Sequence, residues 1–116
     1  MMQIGQLYKN NQLVVNKVWL AKSILQRMRG LLFRKSLEPD QAMLIRPCSS
    51  IHTIGMTYPL DIVFIDAQGI VLKALKNVRP LRMAFAINAY ATIEFYAGEI
   101  ERIGIQRGDY LDWKAA

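Results

Sequence analysis

Along most of the chain, short apolar runs alternate with turn-prone polar residues, the pattern of strands and tight connections. Met2 to Tyr8 reads as extended, and Lys9-Asn10-Asn11-Gln12 as a turn, because Asn tolerates left-handed backbone. Leu13-Val14-Val15 and Val18-Trp19-Leu20 then form the return strand of a hairpin. Gln41 to Arg46 reads as a short buried strand that Pro47 ends by removing a ladder donor. Leu60–Ile65 and Ile70–Leu75 flank the turn Asp66-Ala67-Gln68-Gly69 and give the strongest hairpin signal. Val78 to Arg82 reads as irregular. Ala91–Tyr96 is a further strand that Ala97-Gly98 breaks. Tyr110–Trp113 is the last, after a turn at Gln106–Asp109.

Helical spacing stands out once. Ile24, Met28, Leu31 and Leu32 fall at i, i+4, i+7 and i+8, one face of a helix. Ser23 and Gln26 before them fit a capping box. Gly30 inside the pattern costs about 1 kcal/mol against Ala. Glu99–Arg102 suits a single helical turn, with acids at its positive end. The expected architecture is therefore mainly β. It is a single domain over 1–116, a β-sandwich or small barrel, with one α-helix at about 23–35 and a short helical turn near 98–103.

Composition adds exclusions. A chain of 116 residues with 53% apolar content can sustain its own core. One cysteine forbids an intramolecular disulfide. Met1–Gly5 lacks the basic and apolar regions of a secretory signal, and no apolar run approaches the roughly 20 residues of a membrane span. The expectation is a soluble, cytoplasmic protein with no membrane attachment. Its net charge of +6 is unevenly placed. Lys9, Lys17, Lys22, Arg27, Arg29, Arg34 and Lys35 precede the first acid, Glu38. Lys73, Lys76, Arg79 and Arg82 lie in a second stretch, 67–93, without an acid. Such a field favours anionic partners, although net charge also serves solubility alone.

Candidate chemistry gathers between Pro47 and Asp66, which hold the lone Cys48 and the lone His52. On a straight strand Cys48 and His52 would stand about 13 Å apart, at roughly 3.3 Å per residue, too far for a nucleophile and its base. One Cys, one His and a carboxylate such as Asp61 could reach the three ligands of a catalytic zinc site only if folding brings them together, and a structural site wants four. Asp61 and Asp66 are five residues apart on a strand and face opposite sides. Asp66 reads as a turn residue. Asp61 opens a very apolar run, so its carboxylate needs partners, either as a buried brace or as a ligand contact. No glycine-rich phosphate loop and no nucleic-acid-binding signature is present. No cofactor is expected.

A family resemblance rests on several blocks in order. They are Arg27-Met28-Arg29-Gly30-Leu31-Leu32-Phe33-Arg34, Ala42-Met43-Leu44-Ile45, Ile51-His52-Thr53-Ile54-Gly55-Met56 and Pro59-Leu60-Asp61-Ile62-Val63-Phe64-Ile65-Asp66. Ala97-Gly98, Gly104-Ile105 and Gly108-Asp109 follow. From about residue 18 onward the chain resembles the bacterial and archaeal domain-of-unknown-function 192 family. His52-Thr53-Ile54-Gly55-Met56 stands where many members carry Trp-Met-Lys-Asn-Thr, and Ala42-Met43 where Gly-Met is usual. The resemblance implies a small, mostly β domain and brings no established activity.

These residues point first to a non-enzymatic binding or accessory module. The His52–Asp61 loop would hold an anionic small molecule or an acidic protein surface, with His52, Thr53, Met56 and Cys48 as contacts, Asp61 orienting the loop, and Arg27 and Arg29 supplying charge. Two alternatives stay open. One is an enzyme with His52 as general acid/base and Asp61 as its orienter; the other, behind it, is non-specific nucleic-acid binding. A monomer or weak homodimer is expected.

Overall fold

The computed structural model describes residues 2–22, 37–53 and 56–116. The helix expected at about 23–35 lies outside the described residues, with Ser23, Gln26, Arg27, Arg29 and Gly30; so do Ile54 and Gly55. Among the described residues nine strands and one short helix follow in order. They are β1 (Gln3–Lys9), β2 (Gln12–Ala21), β3 (Gln41–Ile45), β4 (Ser50–His52), β5 (Leu60–Ile65), β6 (Val71–Val78), β7 (Met83–Phe85), β8 (Ala91–Tyr96), α1 (Glu99–Ile103) and β9 (Leu111–Ala115).

Seven strands form one sheet in the order β6-β5-β8-β3-β2-β1-β9, antiparallel except where β2 runs parallel to β3. An antiparallel bridge between Ile70 and Tyr110 joins the two edges. Val71 N–H donates to the Asp109 carbonyl and Leu111 N–H to that of Gly69, so the sheet curls into a barrel fastened at this corner. Side-chain alternation confirms the closure. Leu7, Val15, Val18, Leu20, Ala42, Leu44, Val63, Val71, Ile93, Phe95 and Leu111 form one core, to which every strand of the sheet contributes.

The alternate positions Trp19, Met43, Ile45, Ile62 and Phe64 face outward yet are buried as well. That explains why β3 from Ala42 and β5 from Ile62 read as continuous apolar runs. The two-stranded ribbon β4-β7 covers part of this outer face with Ile51, Ala84 and Ala86.

Local chemistry sets the turns. Asn10 and Asn11 take positive φ at the β1–β2 hairpin. Asp66 Oδ1 accepts from the N–H groups of Gln68 and Ile70, and a Cβ on Gly69 would strike the Leu111 carbonyl at the closing bridge. At one barrel end α1 inserts Ile100 into the inner core. Its buried Glu99 accepts from Asp40 N–H and from the Arg102 guanidinium. That hydrogen bond is the main reason the Arg102 pKa is raised.

Two elements were not read from the sequence: β4, and β7 inside the stretch after Arg82. β6 also runs on to Val78.

Candidate binding ribbon and the placement of the sequence-derived residues

Asp61 is fully buried and faces α1. Its Oδ2 accepts from Gly98 N–H and Ile100 N–H, each at 2.9 Å, and its Oδ1 from Asn77 N–H at 2.8 Å. One carboxylate thus ties β5 to the bend of β6 and to the first turn of α1. All three are backbone donors that the fold leaves over, so the geometry here is that of a brace.

His52 lies on a different layer. It ends β4, is exposed, and stands opposite Met83 of β7. The ribbon packs on the outside of the barrel, whereas Asp61 bonds to the helix plugging its end. The two are not brought together. Cys48 is half-buried, and its thiol donates to the Ser50 carbonyl at 3.0 Å rather than meeting His52. Met56 is half-buried and packs on the outer core. Among the described residues no three His, Cys, Asp or Glu side chains converge as metal ligands.

Thr53 is buried and acts on the chain across from it. Its hydroxyl donates to the Arg79 carbonyl at 2.8 Å and accepts from Arg82 N–H at 2.8 Å. Its backbone N–H donates to the Arg82 carbonyl. Thr53 therefore pins the turn at 79–82 and, through it, the start of β7.

What this turn leads into is an exposed apolar row. Leu81, Met83, Phe85 and Ile87 are between 60% and 80% exposed, while the intervening Ala84 and Ala86 are buried. Alanine faces inward because the ribbon lies close on the outer sheet face, which leaves the large side chains to solvent. Among the described residues β7 pairs with β4 alone. On the β4 side Thr53 N–H donates to the Arg82 carbonyl and Ala86 N–H to the Ser49 carbonyl. By strand alternation Met83 and Phe85 turn their backbone groups to the other edge. Lys73 reaches that edge, its Nζ donating to the Phe85 carbonyl at 3.0 Å and lying 5.4 Å from the ring centroid. Arg79 and Arg82, both exposed, flank the row at its other end. The strict alternation from Leu81 to Ile87 was the signal for this element. It was obscured because large apolar residues usually mark the buried face.

Residues 6–113 match the model of domain-of-unknown-function 192, described as "Uncharacterized ACR". The chain belongs to this family. A "UPF0127 protein" of Thermococcus sibiricus is 29% identical, over 84% of this chain and 70% of its own length. A crystal structure of a Novosphingobium aromaticivorans protein of unknown function shares the fold with a TM-score of 0.79 at 24% identity, covering 97% of this chain and 85% of that one. A Sinorhizobium meliloti structure, described as a candidate transcription regulator, has a TM-score of 0.78 at 24% identity, covering 97% and 94%. At this identity the two structures bear on the fold alone. No helix among the described residues is long and apolar enough to cross a membrane.

Proposed function

We propose that this family member is a non-enzymatic binding module whose β4-β7 ribbon docks an extended, acidic segment of a partner protein. The observation that carries the reading is the row Leu81-Met83-Phe85-Ile87, centred on β7, whose second edge pairs with no strand among the described residues, beside Lys73, Arg79 and Arg82. An open edge recruits a strand through backbone hydrogen bonds, and the exposed side chains select it. Charge chooses the occupant. Pairing β7 with β7 of a second copy would set Lys73, Arg79 and Arg82 against their own equivalents, whereas Asp or Glu on a partner strand would neutralise them. Aliphatic Leu81, Met83 and Ile87 suit a peptide better than bases, which stack on aromatic rings. His52, opposite Met83, is a polar contact at the margin. A lone thiol bonded as Cys48 is fits work in the reducing cytoplasm.

Selection of short random peptides displayed on phage tests this. Enriched sequences should alternate apolar residues with Asp or Glu and lose binding to a Met83→Glu/Phe85→Glu variant. Enrichment of neutral or basic sequences, or equal binding to that variant, would overturn the proposal.

A further inference from the structure

We infer that the open end of the barrel is a second, separate binding site, for a small monocarboxylate with an apolar body. α1 plugs one end of the barrel. The opposite end holds a cavity of about 180 Å³ where β3, β5, β8 and β9 come together. Its floor is the inner core: Leu7, Leu44, Ile65, Ile93 and Leu111. The space is of the order of an engineered cavity of roughly 150 Å³ that takes benzene, enough for a short-chain or small aromatic acid. The mouth sets a polar rim, with Arg46, Gln68 and two tyrosines, over this apolar floor, so a ligand there meets both kinds of surface.

Arg46 supplies the charge. It continues the inward-facing series Ala42, Leu44 and so enters the mouth. Its guanidinium carbon lies 5.6 Å from the centroid of the Trp113 ring. Among the described residues it makes no side-chain hydrogen bond or ion pair, so its donors remain for a ligand. Trp113 is itself fixed. Its Nε1–H donates to the Val18 carbonyl at 3.1 Å, and the ring occupies space that a Cβ on Gly5 would fill. The guanidinium is thereby presented as a planar fork, the geometry that takes a carboxylate in two parallel hydrogen bonds. Asp66 and Asp112 also line the cavity. Asp66 Oδ1 is engaged by the N–H groups of Gln68 and Ile70, and Asp112 alternates with the inward-facing Leu111 and Trp113, so its side chain falls on the other face of β9. Tyr90 and Tyr110 line its outer part. A ligand with one carboxylate and an aliphatic or small aromatic body meets all of these conditions.

The two tryptophans make the test internal. Trp113 lines the cavity, and Trp19 belongs to the outer core. Sodium butanoate and sodium benzoate are titrated into the protein, and the two indole N–H signals are followed by NMR. The Trp113 signal should shift saturably while that of Trp19 stays in place. The neutral isostere butanamide should bind about tenfold more weakly or worse, because the charge-assisted bonds are lost. Arg46→Gln, with an otherwise unchanged spectrum, should show the same loss. Equal binding of butanamide, movement of both indoles together, or no shift at Trp113 would overturn the assignment. The peptide-docking variants leave this site intact, so either site can fail without the other.

Discussion

Replacing Asp61 by asparagine separates a brace from a ligand contact. The carboxylate accepts three backbone N–H bonds from Asn77, Gly98 and Ile100, and the side chain is fully buried. Alanine would orphan all three donors at about 1–3 kcal/mol each. A chain of 116 residues has roughly 6–17 kcal/mol in total, at about 0.05–0.15 kcal/mol per residue, so alanine risks abolishing folding. Asparagine has the same shape and keeps one oxygen, enough for Gly98 and Ile100. Its NH2 group, however, meets the Asn77 N–H donor to donor. One orphaned donor and two weakened bonds together amount to about 2–4 kcal/mol. Thermal unfolding should then fall by about 8–16 °C, at about 4 °C per kcal/mol for this size. Urea denaturation followed by tryptophan fluorescence measures the loss. Asp66→Asn, at a part-exposed turn, is the comparison and should cost about 1 kcal/mol. Stability of Asp61→Asn within about 0.5 kcal/mol of wild type would refute the brace. It would return Asp61 to the ligand-binding residues.

Three further variants test other contacts. Gly5→Ala places a Cβ on the Trp113 ring and the Lys114 carbonyl and should destabilise by about 1–3 kcal/mol in denaturant titration, with a changed Trp113 emission. Thr53→Val removes the hydroxyl that pins Arg79 and Arg82 and should cost about 1–3 kcal/mol. Hydrogen exchange at 79–83 should speed up while the barrel strands stay protected. Met83→Glu/Phe85→Glu alters only exposed side chains, so its thermal midpoint should stay near wild type, as surface changes of this kind usually do.

The barrel strands were legible because their residues obey local rules. Asn10-Asn11 and Asp66–Gly69 carry turn chemistry, and β5 and β8 are apolar enough to be strands wherever they lie. Asp61 was visible as an oddity, a carboxylate opening an apolar run. Its role was not visible, because its three donors come from residues 16 to 39 positions away. The ribbon was hidden for another reason. The face of β7 that looks like a core face by composition points to solvent, and only the sheet beneath it decides that. Arg46 drew no attention as the last residue of a strand followed by Pro47. Its significance comes from Trp113, brought across the barrel by closure that no local pattern announces.

Docking on the ribbon is tested most directly by backbone-amide NMR with a synthetic peptide of alternating valine and glutamate, and its valine–lysine counterpart as control. The acidic peptide should shift the amides of Met83 and Phe85 and protect them from exchange, while the basic peptide should do neither. Shifts confined to other strands, or identical responses to the two peptides, would contradict it.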